Sequence, residues 1–200
     1  MSMVLGLTGG IATGKSTVSQ VFKATGFPIV DGDVIAREVV ETGQPALKEI
    51  AAAFGEQILD EAGGLHRKKL GQIIFSDSVK RARLNEIMSP YLRTAILSEL
   101  QLKKKQAPLV ILDIPLLYEG GYEQFVDQVA VVYVTEKIQM KRLMDRDHLT
   151  ENEARKRISS QWPIDQKKQR ADIVFDNQGS KETTKRTVEK WLRSNHFINA

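Results

Sequence analysis

An α/β fold, with a five-stranded parallel sheet flanked by helices, is what this sequence predicts, and three observations carry it. Short apolar runs recur at residues 3–8, 28–31, 109–113, 129–134 and 172–175. Most are apolar throughout, the pattern of strands covered on both faces. Helical spacing lies between them, as in Val18, Val21 and Phe22 after the first run and Val188, Trp191 and Leu192 after the last. Finally, 200 residues at 42% hydrophobic composition suffice for one substantial core.

The first run leads into Gly9-Gly10-Ile11-Ala12-Thr13-Gly14-Lys15-Ser16, which matches G-x-x-x-x-G-K-[ST] between a predicted strand and a predicted helix. Such a loop turns successive N–H groups toward phosphate oxygens, and the helix behind it adds the positive end of its dipole. The fold class expected is therefore that of the P-loop NTPases. Gly10, Ile11, Ala12, Thr13, Gly14, Lys15, Ser16 and Thr17 are the expected ATP-binding stretch, with Lys15 bridging the β- and γ-phosphates and the Ser16 hydroxyl on Mg²⁺.

The second run ends on Asp31-Gly32-Asp33. If the chain is still extended there, the two carboxylates point the same way. Facing a phosphate pocket, such a pair is expected to coordinate metal or accept a proton from a hydroxyl; the alternative is that Asp33 caps the helical stretch after it. No strand pattern follows until residue 109. Helical spacing at Leu70, Ile73 and Ile74, then at Leu84, Ile87 and Met88, predicts a helical insertion over about 33–105. Within it Ser89-Pro90 reads as a helix cap followed by proline at the first helical position, so a break between two helices is expected there.

The third run closes on Asp113 at the sheet's C-terminal edge, where open α/β sheets bind ligands. It is a candidate to hold hydrated magnesium or to bond Ser16, or else it caps its loop. Residues 141–170 are polar and basic, with a capping box at Thr150 and Glu153, and read as a mobile lid. Arg142, Arg146, Arg155, Arg157 and Arg170 lie in it; Arg142 and Arg146 share an i, i+4 face and are the candidates to meet a transferring phosphoryl group together. The core is then about 1–32, 106–140 and 171–200.

Composition narrows the classes. With no cysteine, disulfide frameworks and thiol chemistry are excluded and a cytoplasmic location is expected. Glycines interrupt the N-terminal apolar run, and residues 109–118 are split by Asp113 and Pro115, so neither a signal peptide nor a membrane span is expected. A net charge of +4 suits polyanionic ligands. The basic residues are interleaved with acids, except for the run Lys103, Lys104, Lys105, which reads as a solvated helix end. His66, His148 and His196 share no metal-binding spacing, and Asp31-Gly32-Asp33 lacks the remaining ligands of a calcium loop. There is no guanine-specifying Asn-Lys-x-Asp sequence, and the insertion lacks aromatics interleaved to stack on single-stranded bases, so no nucleic-acid partner is expected.

Several segments together resemble one family. The opening Leu5-Gly6-Leu7-Thr8-Gly9-Gly10-Ile11 resembles the phosphate-loop lead-in of dephospho-coenzyme A kinases. Asp31-Gly32-Asp33-Val34-Ile35-Ala36-Arg37 is similar to that family's Asp-Ala-Asp-x-x-Ala-Arg segment, and Asp113-Ile114-Pro115-Leu116-Leu117-Tyr118-Glu119 to its Asp-x-Pro-Leu-Leu-Phe-Glu segment. Arg67-Lys68-Lys69-Leu70, Arg142-Leu143 with Arg146-Asp147, and Ala171-Asp172-Ile173-Val174-Phe175-Asp176-Asn177 extend the likeness over nearly the whole chain.

The resemblance implies ATP and dephospho-coenzyme A as substrates and Mg²⁺ as cofactor. It implies Asp33 as catalytic base beside Lys15 and Arg142, Asp33, Arg37 and Arg67 on the acceptor, Ser16, Asp31 and Asp113 at the metal, and Asn177 bordering the adenine. Gly32 stands where the family has alanine, His66 where aspartate is usual and Ser89 where histidine is usual. The competing expectations are another P-loop kinase acting on a nucleotide or small alcohol, and a nucleic-acid-associated ATPase.

Overall fold

The computed structural model describes residues 2–75 and 77–199; the outermost residues of the expected core fall outside them. The strands are β1 (Met3–Gly9), β2 (Ile29–Asp31), β3 (Leu109–Asp113), β4 (Gln128–Tyr133) and β5 (Ile173–Asp176). The helices are α1 (Lys15–Ala24), α2 (Gly32–Glu38), α3 (Pro45–Phe54), α4 (Arg67–Phe75), α5 (Ser78–Lys104), α6 (Glu136–Asp147), α7 (Glu151–Ile158), α8 (Ile164–Arg170) and α9 (Lys181–Ser194). Every predicted strand boundary falls within one residue of the observed one. The chain forms two compact units, Met1–Asp31 with Leu100–Ala200 and Gly32–Glu99.

The first unit is the sheet, in order β2-β3-β1-β4-β5 with every pairing parallel. It is the P-loop kinase fold. Leu5, Leu7, Ile111 and Val132 of the strands pack with Val18 and Phe22 of α1 and Val188 and Leu192 of α9. Phe22 lies edge-on to both Phe175 and Trp191. Each such side chain contributes about 1.5–3 kcal/mol by leaving water, enough to make the central strands a rigid platform. β1 sits between β3 and β4, so its C-terminal end opens the phosphate loop at the middle of the sheet edge.

The second unit packs α2 to α5 around Val40, Ile50, Ile58, Leu70 and Ile87. Two expectations fail here. The chain is not extended through Asp31-Gly32-Asp33, because α2 begins at Gly32 and places Asp33 in its first turn. Asp33 is thus neither co-directional with Asp31 by strand alternation nor the residue before a helix. Its charge lies instead at the helix's positive end. Likewise no break occurs at Ser89-Pro90, since α5 runs unbroken with Pro90 inside it. Proline costs about 3 kcal/mol in a helix interior, but Ser89 and Pro90 are exposed and the carbonyl of Glu86 lies on an exposed residue that water can reach. Burial of Ile87, Ile96 and Leu100 holds the helix on either side.

Candidate active site

The phosphate loop joins β1 to α1 through a left-handed turn at Gly14, with φ of +84°. A side chain there would also run into the Asn177 amide, so glycine is required twice over. Ala12 adopts φ of +60° as well, strain of the order of 1 kcal/mol that alanine tolerates only where the surroundings impose it. No side chain caps α1 and its first turn carries no acid. The Thr17 N–H donates to Gly14 O at 2.9 Å, which leaves the N–H groups of Lys15 and the exposed Ser16 at the helix start to face an anion.

Side chains from elements distant in sequence brace this loop. Ile11 donates its N–H to Gln161 Oε1 at 2.8 Å and its carbonyl accepts from Gln139 Nε2 at 2.8 Å. Asn177 Nδ2 donates to Thr13 O at 2.7 Å while its Oδ1 accepts from the Thr184 hydroxyl at 2.7 Å. Thr13 Oγ1 donates to Gly10 O at 2.9 Å. Both polar groups of the Asn177 side chain are therefore committed, Nδ2 to the loop and Oδ1 to Thr184 of α9, and the Ile11 N–H is committed to Gln161. Spacing along the chain gives no hint of Gln139, Gln161 or the buried Lys167 as loop supports. Each acts on backbone more than 120 positions away, and only the polar character of the segment around them was visible.

Lys15 pairs directly with Asp113, the C-terminal residue of β3 and nearly fully buried. Asp113 therefore bonds the loop lysine, and it also accepts from Ser19, instead of the Ser16 expected. Burial pushes its carboxyl above the usual range, against the opposing pull of Lys15, while Asp31 adds to the rise. Asp31 and Asp113 are register partners on β2 and β3, so two carboxylates share one stretch of the sheet edge.

The arginines of the expected lid separate. Arg142 of α6 donates to Asn177 O at 2.9 Å and lies beside the Gly14 turn. Arg146, one turn on, instead grips Asp147 at 2.8 and 3.1 Å, holding that carboxyl below its usual range; Arg157 shares the same partner. Arg155 pairs with Glu151, and Arg170 lies over the Trp162 ring. The i, i+4 spacing of Arg142 and Arg146 does not bring them to one partner. The capping box at Thr150 is present, with Glu153.

In the second unit Arg37 and Arg67 line one cavity of about 420 Å³ together with Val40, Glu41, Thr42 and Leu65. Arg67 Nη2 reaches Arg37 O at 3.4 Å, and both side chains are otherwise exposed. His66 precedes α4 and caps it through Nδ1, which accepts from Lys69 N at 3.4 Å. That is the task an aspartate would perform there, done with a longer bond.

The profile of the dephospho-CoA kinase family matches residues 3–183. The dephospho-CoA kinase of Enterococcus faecalis is 62% identical over 192 residues, covering 96% of each chain. Among solved structures, dephospho-CoA kinase from Campylobacter jejuni superposes with a TM-score of 0.76 at 29% identity, over 98% of each chain. A Thermus thermophilus protein does so with a TM-score of 0.78 at 31% identity, over 96% of this chain and 97% of the other. A phosphate loop continuous with β1, an acid on β3 paired with its lysine, and a full-length match at this identity converge on one conclusion: the chain belongs to the dephospho-CoA kinase family.

Proposed function

We infer that this protein transfers the γ-phosphoryl group of ATP to the ribose 3′-hydroxyl of dephospho-coenzyme A, giving coenzyme A and ADP, the last step of coenzyme A biosynthesis. The observation that carries this reading is the braced phosphate loop with its Lys15–Asp113 pair, in a chain of this family. The bond from the γ-phosphorus to the β–γ bridging oxygen breaks as one to the 3′-oxygen forms, and the hydroxyl proton leaves for a base.

In this reading the N–H groups of Gly14, Lys15 and Ser16 hold the phosphates, with Thr17 beside them giving its own N–H to Gly14 O, and Lys15 neutralises charge on the transferring group. Arg142 adds a second cation from α6. Asp33 takes the 3′-hydroxyl proton, and Arg37 and Arg67 bind the phosphates of the acceptor from the cavity they line. Asn177 serves by supporting Thr13, and Arg146 contributes charge at longer range. The functional divisions are a nucleotide-binding core, the helical acceptor region and a lid over part of 141–170.

Asp31, Asp113 and Ser16 present only oxygen donors, which suits a hard divalent cation. Among the described residues no three His, Cys, Asp or Glu converge, so Mg²⁺ here depends on phosphate oxygens as well as on these three residues. When bound, the ion offsets charge on the triphosphate. No helix among the described residues is long and apolar enough to cross a membrane, and the lack of cysteine suits a reducing compartment such as the cytoplasm.

Initial rates with ATP and dephospho-coenzyme A, nucleoside monophosphates or shikimate test the assignment. Transfer to dephospho-coenzyme A alone is expected; comparable transfer to another acceptor would overturn it. Asp33→Asn tests the base. A loss of about 10²- to 10⁴-fold in kcat with ATP affinity kept is expected, and wild-type turnover would remove Asp33 from the chemistry.

A further inference from the structure

The β1–β3 ladder pairs Leu7 with Asp113, and in the same register Gly9 stands opposite Pro115. Proline has no N–H, so the ladder cannot continue there. The two strand exits carry the chemistry on either side: Gly9 opens the phosphate loop, and Asp113 lies just before Pro115. A separate device must hold them at a fixed spacing.

Lys167 of α8 occupies that place. It is fully buried, and its Nζ donates to Gly9 O at 3.2 Å, Pro115 O at 3.1 Å and Glu119 Oε1 at 2.8 Å. All three ammonium donors are thus used. The Thr8 hydroxyl adds a bond to Pro115 O at 2.8 Å. Glu119 Oε1 also accepts from Trp162 N at 2.9 Å, while its other oxygen is buried without a partner among the described residues.

The same segment is fixed from further sides. Trp162 stacks on Tyr118 with planes 4° apart, Arg170 covers the Trp162 ring, and the neighbouring Gln161 receives the Ile11 N–H. Residues 161–170, which read in sequence as part of a mobile polar lid, are joined to the phosphate loop at Gly9 and Ile11.

We propose that Lys167 is a positioning residue for phosphoryl transfer: its ammonium clips the exits of β1 and β3 together and so sets the spacing between the phosphate loop and Asp113, with Glu119 as its counter-ion. A lysine suits the position because one compact cation bonds two carbonyls and a carboxylate at once, where no backbone donor exists. The inference rests on reading residues 9–16 as the ATP site. It confines any lid motion to the residues before Gln161.

Lys167→Met, Glu119→Gln and the double variant test it, with calorimetric titration of Mg²⁺–ATP, steady-state KM for both substrates, kcat and Tm. Lys167→Met is expected to weaken ATP binding about tenfold or more and to lower kcat, because small misplacements of reacting groups are costly. KM for dephospho-coenzyme A should stay within about twofold. Glu119→Gln should shift the same parameters by less, and the double variant should fall short of the summed effects, as coupled partners do. A lowered Tm with ATP affinity and kcat intact would make Lys167 purely structural and overturn the proposal. An equal rise in both KM values would overturn it too. If Lys167→Met does not fold, Glu119→Gln decides by the same split. Because the ATP titration needs no acceptor, a wrong acceptor assignment leaves this result readable.

Discussion

The phosphate loop and the cavity of the helical unit both present positive charge, but they hold it in different ways. Around the loop, Gln139, Gln161 and Asn177 secure the backbone at Ile11 and Thr13 with bonds of 2.7–2.8 Å, and Lys15 is tied to a buried carboxylate. Around the cavity, Arg37 and Arg67 are exposed, and the bond recorded between them is a 3.4 Å contact to a backbone oxygen. The loop holds its groups fixed in advance; the cavity supplies long, exposed cations, which on the function proposed above would be ordered as the acceptor binds. Geometry sets the contribution of the first, and charge sets that of the second.

The largest expected effect lies on the preorganised side. Lys15→Ala should cost a hundredfold or more in kcat, about 2.7 kcal/mol upward in transition-state stabilisation, with Tm little changed. A small kinetic effect would mean that the bracing serves stability alone.

Asp113→Asn probes the other half of that pair. A carboxyl whose folded pKa is raised by burial contributes stability below its unfolded value, near 3.8, and loses it as pH rises through the folded value. At neutral pH, well above the unfolded value, the raised pKa of Asp113 therefore opposes folding. The asparagine variant should keep or raise Tm at pH 7 while losing most activity, which thermal scans at pH 4 and pH 7 would check by showing the difference from wild type grow with pH.

On the acceptor side, Arg37→Ala and Arg67→Ala should each raise KM for dephospho-coenzyme A about tenfold, as loss of one charge-assisted contact does, with KM for ATP unchanged. Arg67→Lys should recover most of the loss if charge matters more than geometry. Failure of lysine to do so would place a fixed, bidentate contact in the cavity and erase the contrast drawn above.

Much of the donor side was legible because its signals are local. The glycine spacing, the apolar runs and the acid closing β3 all lie within windows of a few residues, and the strands follow them to within one position. What escaped is non-local or competitive. Lys167 sits in the sequence Ile-Asp-Gln-Lys-Lys-Gln-Arg, where nothing separates a buried lysine from a solvated neighbour. The extended reading of Asp31-Gly32-Asp33 failed because α2 starts one residue after β2 ends. The break at Pro90 failed because burial along α5 outweighs one missing bond.

Smaller effects test departures from the family pattern. The Tyr118 hydroxyl is buried without a partner among the described residues, and burial, followed by the nearby Asp172 and Glu123 charges, pushes its pKa up to about 12. Its contribution to stability is complete below pH 10 and lost as pH rises toward about 12. Tyr118→Phe should raise stability at pH 7 by about 1 kcal/mol and flatten that alkaline loss, as denaturant titrations at pH 7 and pH 11 would report. His66→Asp replaces the 3.4 Å cap of α4 with a better acceptor and should add about 0.5–1 kcal/mol without changing ATP affinity.

The chain has two tryptophans, and their surroundings make them separable optical probes. Trp191 lies in the aromatic cluster of Phe22 and Phe175, packed against the core of the sheet unit. Trp162 stacks on a tyrosine ring and has a guanidinium over its own ring, beside the glutamine that holds the phosphate loop. A Trp191→Phe protein would therefore emit from the joint between α7 and α8 alone. Its fluorescence would report, in real time and without a label, whether that joint stays shut while nucleotide enters and leaves.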